Sequence, residues 1–252
     1  MDPRLPIFPL GTVLFPGLVL PLHIFEERYR ELVRHLVGLP TGTPREFGVV
    51  AIRSGAEPQP AAGAAATVAD RSPVALHDVG CTAELRKVTE LPDGRFDIVT
   101  VGRRRFQLTE VDEESTPYLT AAVRWLPEPT GQEELADRLA PRVLAVFRQY
   151  LGLIRQEPQD GLVRQEPRES PIRQEPQENS EQLPDDPTVL SHLVAATAAL
   201  TLADRQRLLA VPDTAGRLAA ELRLLNREIA LLRQVRAVPM PLSELAHPAS
   251  PN

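Results

Sequence analysis

An apolar stretch cut up by prolines, "LPIFPLGTVLFPGLVLPLHIFEERYRELVRHL" at residues 5–36, limits what this chain can fold into. Pro6, Pro9, Pro16 and Pro21 interrupt its apolar half, and proline removes a backbone donor and breaks helix interiors. A membrane-spanning helix needs about 20 apolar residues without such breaks. An export signal needs a positive start, an unbroken apolar helix and a small-residue cleavage site. Here "MDPR" is nearly neutral and no A-x-A follows. The stretch therefore reads as part of the core of a cytoplasmic protein, with short extended pieces joined by turns at "PLG" and "FPG". After Pro21 the period changes. Tyr29, Leu32, Val33 and Leu36 share one helical face, and Gly38 is placed to end that helix.

Further along, "FGVVAI" at 47–52 has the look of a buried strand, and residues 54–73 read as a loop poor in large apolar groups. From 76 to 126 the pattern is a β-meander. "CTAELRKVTEL" and "RFDIVTV" flank Pro92-Asp93-Gly94, good chemistry for a hairpin turn. "RRFQLTEV" and "YLTAAVRWL" follow as further strands, the last alternating Leu119, Ala121, Val123 and Trp125 with more polar neighbours. After Pro127 the chain turns helical. Thr130 and Glu133 have the spacing of a capping box, and Pro141 is expected to kink or restart the helix that follows.

"RQEP" recurs at 155, 164 and 173, a nine-residue repeat with almost no apolar content, which reads as a low-complexity insertion over 155–185. Helices resume at Asp186-Pro187, near Thr201 and at Pro212-Asp213. In the last, Leu218, Leu222, Leu225, Ile229 and Leu232 make a seam suited to a bundle face or a coiled coil. The expected organisation is a β-rich unit over 1–126, a helical unit over 127–238 and an unstructured tail over 239–252.

Chemistry is limited by what is missing. The 252 residues include one cysteine, Cys81, and one lysine, Lys87, and the net charge is −6. A lone cysteine gives neither a disulfide framework nor a thiolate metal site. An acidic chain is a poor sequence-blind nucleic-acid binder. There is no Walker loop, no G-x-S-x-G and no H-E-x-x-H. His23, His35, His77, His192 and His247 show no ligand spacing, and a Ser-Lys dyad would have to take Lys87 from the middle of a strand. No catalytic residue, metal or cofactor is expected. Glu26, Glu27 and Arg28 read as local ion pairs at a strand-to-helix corner. The triplet Arg103, Arg104 and Arg105 reads as a solvated hairpin edge, guarded by charge against strand addition, that could also meet an acidic peptide.

The segments "FPL…VLFPG…LPLHIFEERYRELV", "VGCTAELRKV…PDGRFDIVTVGRRRF", "PYLTAAVRWL" and "DRQRLLAVPDTAGRLAAELRLLNREI" together resemble the N-terminal substrate-binding domain of Lon-type ATP-dependent proteases. The resemblance covers roughly residues 5–126 and 186–236, with the two low-complexity stretches as departures. It implies an α+β fold, a PUA-like pseudo-barrel followed by a helical bundle. It also implies a non-enzymatic module that recognises unfolded or degron-bearing polypeptides, with an ATP-dependent protease as a possible partner. RNA binding, known in other PUA-like barrels, and a residual peptidase are the competing readings. In the family none of the motif residues is catalytic, and Pro9, Gly17, Phe25, Glu26, Arg28 and Tyr29 are expected to build the first corner of the fold and not a binding surface. The groove between barrel and bundle and the Arg103–Arg105 edge are the surfaces it suggests for peptide binding.

Overall fold

A computed structural model describes residues 3–53, 75–112, 114–155 and 183–237. The expected loop at 54–73, most of the RQEP insertion and the tail from 239 lie outside these residues. Six strands come first: β1 (Arg4–Leu10), β2 (Val19–Ile24), β3 (Glu46–Ala51), β4 (Val79–Glu90), β5 (Phe96–Asp112) and β6 (Thr120–Trp125), with helix α1 (Glu27–Gly38) between β2 and β3. Four helices follow: α2 (Glu133–Arg155), α3 (Pro187–Thr197), α4 (Leu202–Ala210) and α5 (Thr214–Ala237). The fold is α+β.

The sheet runs β2-β5-β4-β3-β1-β6, and β6 pairs again with β5. This second pairing closes a five-stranded ring and leaves β2 as a flank on the outside of β5. Closure is possible because β5 is a single strand of 17 residues. The sequence pattern divides it into two strands at the arginines, but the backbone runs straight through. Its first half pairs with β2 and its second with β6. The changeover is at Gly102, where an added Cβ would stand 2.1 Å from the Phe15 carbonyl oxygen. Only glycine lets the two segments approach so closely.

Ile7, Val50, Phe106, Ala121 and Val123 fill part of the ring's interior. Helix α1 covers one side, burying Tyr29, Leu32, Val33 and Leu36 as the periodicity requires, and Tyr29 stacks on Phe8 at 3.9 Å. Each such buried side chain contributes about 1.5–3 kcal/mol. Glu26 pairs with Arg28 at 2.8 Å, so the charged corner is locally matched. Helix α2 continues through Pro141 without a restart, held by the buried Leu139, Ala140 and Val143 around it. Its start differs from the capping-box reading. The amides of Leu135 and Ala136 turn back to Gln132, and the Thr130 carbonyl accepts instead from Ala215. The other helix starts follow the sequence: Asp186 accepts from the Val189 amide, Thr201 from Asp204 and Asp213 from Gly216. The seam of α5 is a bundle face, since Leu218, Leu225 and Ile229 are buried in the same cluster as Val143 and Phe147 of α2.

Barrel and helices share a third cluster, in which Val13, Phe15 and Ala51 meet Ala195, Leu208 and Leu209. A polar junction lies beside it. Arg105, 1% exposed, leaves β5 toward the helices and donates to the carbonyls of Pro127, Leu209 and Val211 at 3.0, 2.7 and 2.6 Å and to the Glu128 carboxylate. Glu128 also accepts from Arg217 at 3.2 Å, and Arg217 is fully buried and reaches Ser191 at 3.0 Å. His192 lies 3.4 Å from the same carboxylate. Burial alone would raise the Glu128 pKa, but hydrogen bonds from His192 and Arg105 bring it down to about 2. Arg105 therefore cannot belong to an exposed charged edge. It is the tie between β5, the 127–129 linker and the turn from α4 to α5.

The junction has a strained neighbour. Glu221, one turn after Arg217, is buried, and among the described residues neither carboxyl oxygen has a hydrogen-bond partner. Burial pushes its pKa well above 4.5, against the pull of Arg217. A raised value in the fold stabilises the protein below the unfolded value, and this contribution is lost as pH rises through the folded one. Glu221→Gln is therefore expected to be more stable than the parent in urea unfolding at about pH 9, with the advantage shrinking toward pH 5. An advantage that does not change with pH would contradict a protonated Glu221. Removing the central carboxylate with Glu128→Ala leaves two buried guanidiniums unmatched and should cost about 3 kcal/mol. The exposed Arg103→Ala should stay within about 0.5 kcal/mol of the parent in the same assay.

Candidate functional site

Among the three arginines of the sequence motif, Arg103 and Arg104 have side chains in solvent and Arg105 does not. Arg103 pairs with Glu84 at 2.7 Å. Arg104 pairs with Glu46 at 3.4 Å and lies over the Trp125 ring at 3.9 Å, so this aromatic face is already covered by a cation. The triplet sits in the middle of β5, not at a hairpin edge, with β4 alongside it.

The groove between barrel and helices exists as a cleft of about 300 Å³ lined by Arg53, His77, Asp78 and Gln206 among others. Arg53 and Asp78 in its lining pair with each other at 2.7 Å. This volume is at the lower limit for ligand sites, with room for a large side chain but not for a length of chain.

A larger surface lies on the outside of the β2–β5–β4 ribbon, which sequence reasoning did not single out. The register sets Val19 beside Val101, Pro21 beside Val99 and His23 beside Asp97. On the next strand Glu84 stands beside Val101, Lys87 beside Val99 and Thr89 beside Asp97. Alternation then places these residues on one face, with Leu20, Leu22 and Ile24 directed inward. Val19 is 62% exposed, and Phe25, which follows the strand in the same alternation, is 59% exposed. Val19, Pro21 and Phe25 thus form an exposed apolar row, with Val99 and Val101 half-buried beside it. The signal for it was present in "VLPLHIF", but an apolar strand with a proline inside it reads equally well as a buried one.

Among the described residues β2 pairs only with β5, so one side of the row is an open sheet edge. The Leu18 carbonyl accepts from Gly102 at 2.8 Å, and the Thr100 hydroxyl donates to the Leu20 carbonyl. Antiparallel pairing alternates, so the backbone groups of Val19, Pro21 and His23 face away from β5. At the far end His23 is held between two partners. Arg95 donates to its Nε2 at 3.1 Å, so its Nδ1 carries the proton and donates to Asp97 at 2.7 Å. Cys81, the one cysteine, is buried inside the barrel, and burial pushes its thiol pKa up, away from nucleophilic chemistry. Among the described residues no group of histidine, cysteine and acidic side chains could hold a metal ion, and no helix is long and apolar enough to cross a membrane.

Comparison with known proteins agrees with this architecture. Residues 4–227 match the family model described as the ATP-dependent protease La (LON) substrate-binding domain. The chain is 30% identical over 232 residues to Lon protease 2 of Herpetosiphon aurantiacus, covering 91% of this chain and 24% of that protein. It is 26% identical over 231 residues to Lon protease 2 of Myxococcus xanthus, with 24% of that protein covered. The chain thus spans about a quarter of the length of these curated relatives. Among solved structures, a Lon N-terminal domain protein from Xanthomonas campestris superposes with a TM-score of 0.53 at 21% identity, covering 88% of this chain and 98% of that one. The N-terminal domain of the Mycobacterium avium complex Lon protease gives a TM-score of 0.58 at 16% identity, covering 89% and 98%. These two likenesses concern the fold.

Proposed function

The chain belongs to the substrate-binding domain family of the ATP-dependent protease La (Lon), and from that premise we propose that it is a non-enzymatic recognition module for unfolded or degron-bearing polypeptides. In this reading it serves as an adaptor or holdase in the cytoplasm, and an ATP-dependent protease is the partner that would receive its clients. The observation that carries the reading is the outer face of the β2–β5–β4 ribbon, where Val19 and Phe25 hold apolar surface in water beside an unpaired strand edge. Exposed apolar groups set along a free edge suit a chain that has lost its own fold. Such a chain offers apolar side chains and free backbone groups at once.

Arg103 and Arg104 belong to the rim of this surface in the proposal. Each already has a carboxylate partner, so their contribution is to steer an approaching chain rather than to hold it.

Binding of a fluorescently labelled, reduced and alkylated globular protein, followed by anisotropy, tests the reading. The unfolded client should bind and its folded, disulfide-intact form should not. The double variant Val19→Glu, Phe25→Glu should weaken binding by about tenfold, since two carboxylates replace apolar contact. Reversal of Arg103 and Arg104 should weaken it no more than about threefold, and only at low salt. An unfolded client that does not bind, or that binds no better than its folded form, would sink the proposal.

A further inference from the structure

We propose that the guest is taken up as an extra antiparallel strand on the open edge of β2, and that it is an uncharged segment with apolar side chains at alternate positions. The inference rests on the polypeptide-recognition reading above and specifies how that site would work.

The backbone supplies the first part. Val19 and His23 each present an N–H and a C=O to solvent, and Pro21 between them presents only a C=O. Among the described residues no other hydrogen bond occupies these outward groups. In an antiparallel pair, directly opposed residues share a face of the sheet. Guest residues whose amides point at Val19 and His23 therefore carry their side chains on the outer face, beside the row of Val19, Pro21 and Phe25. The guest residues between them point their amides to solvent and their side chains to the opposite face.

Charge supplies the second part. His23 is matched by Asp97 and Arg95, Arg95 also binds Asp93 at 2.6 Å, and Glu84 holds both Arg103 and Arg86. Among the described residues a charged guest side chain would find no open counter-charge along the row, and it would lose hydration on the apolar surface, so the complementary segment is neutral. Lys87 stands on β4, about three strand spacings or ~14 Å from a guest strand, too far to select an acidic one.

Pro21 makes this edge selective. It leaves one carbonyl of the guest without a donor at the centre, which discourages tight, irreversible sheet extension. A client held this way can be released, as a carrier requires.

The test uses an eight-residue peptide alternating valine and threonine, with a fluorophore at one end, and two N-methylated forms. One is methylated on the valine amides and the other on the threonine amides. The unmethylated peptide should bind, methylation at valine should weaken binding at least tenfold, and methylation at threonine should leave it within about twofold. Pro21→Ala restores a donor and should tighten binding of the unmethylated peptide severalfold. Equal affinity for the two methylated peptides, or loss confined to the threonine set, would overturn the strand-addition proposal while unfolded clients still bind. Failure of both the peptide and the unfolded client to bind would overturn the recognition reading as well.

Discussion

The arrangement of barrel against helices depends on one carboxylate. Glu128 sits in the short linker after β6 and is shared by Arg105 of β5 and Arg217 of α5, with His192 of α3 alongside. Two guanidiniums that are at most 1% exposed are tolerable only because their donors meet this carboxylate and the carbonyls of the 127–129 linker and of the chain around 209–212. The junction therefore does more than add stability. It sets the direction in which the helical half leaves the barrel. The hydrophobic cluster of Phe15, Ala195 and Leu208 beside it would by itself permit sliding. Hydrogen bonds to particular carbonyls do not.

The same strand that supplies the tie also exposes the proposed site. β5 is long enough to serve two partners in turn, β2 at its start and β6 at its end. Closure with β6 removes the sheet edges around the ring, and among the described residues β2 is left over as a flank strand with an open side. An open edge is usually a hazard, and Pro21 in β2 and charges around its far end limit self-association. In this chain the hazard and the proposed function come from the same geometry.

Much of the fold was legible in the chain itself. Strand alternation in "YLTAAVRWL", the Pro-Asp-Gly hairpin and the helix starts at Asp186, Thr201 and Asp213 are local signals, and local signals survive folding. The arginine triplet was misleading for an equally physical reason. Three adjacent charges look like solvent-facing residues, but whether Arg105 is exposed depends on a carboxylate 23 positions later and on carbonyls more than 100 positions later. No window of sequence contains that information. The split of β5 at the same place came from reading charge as a strand boundary. The apolar row was hidden differently: Val19 and Phe25 look like core residues, and only the topology, by leaving β2 on the outside, puts them in water.

Amide hydrogen exchange with and without a saturating unfolded client tests the central claim most directly. In the free protein the amides of Val19 and His23 should exchange quickly, because they face solvent, while those of Leu20 and Leu22, paired with β5, should be protected. Client binding should slow Val19 and His23 and leave the residues around the Arg53 cleft unchanged. Protection that appears at the cleft, with Val19 and His23 still exchanging freely, would contradict the account.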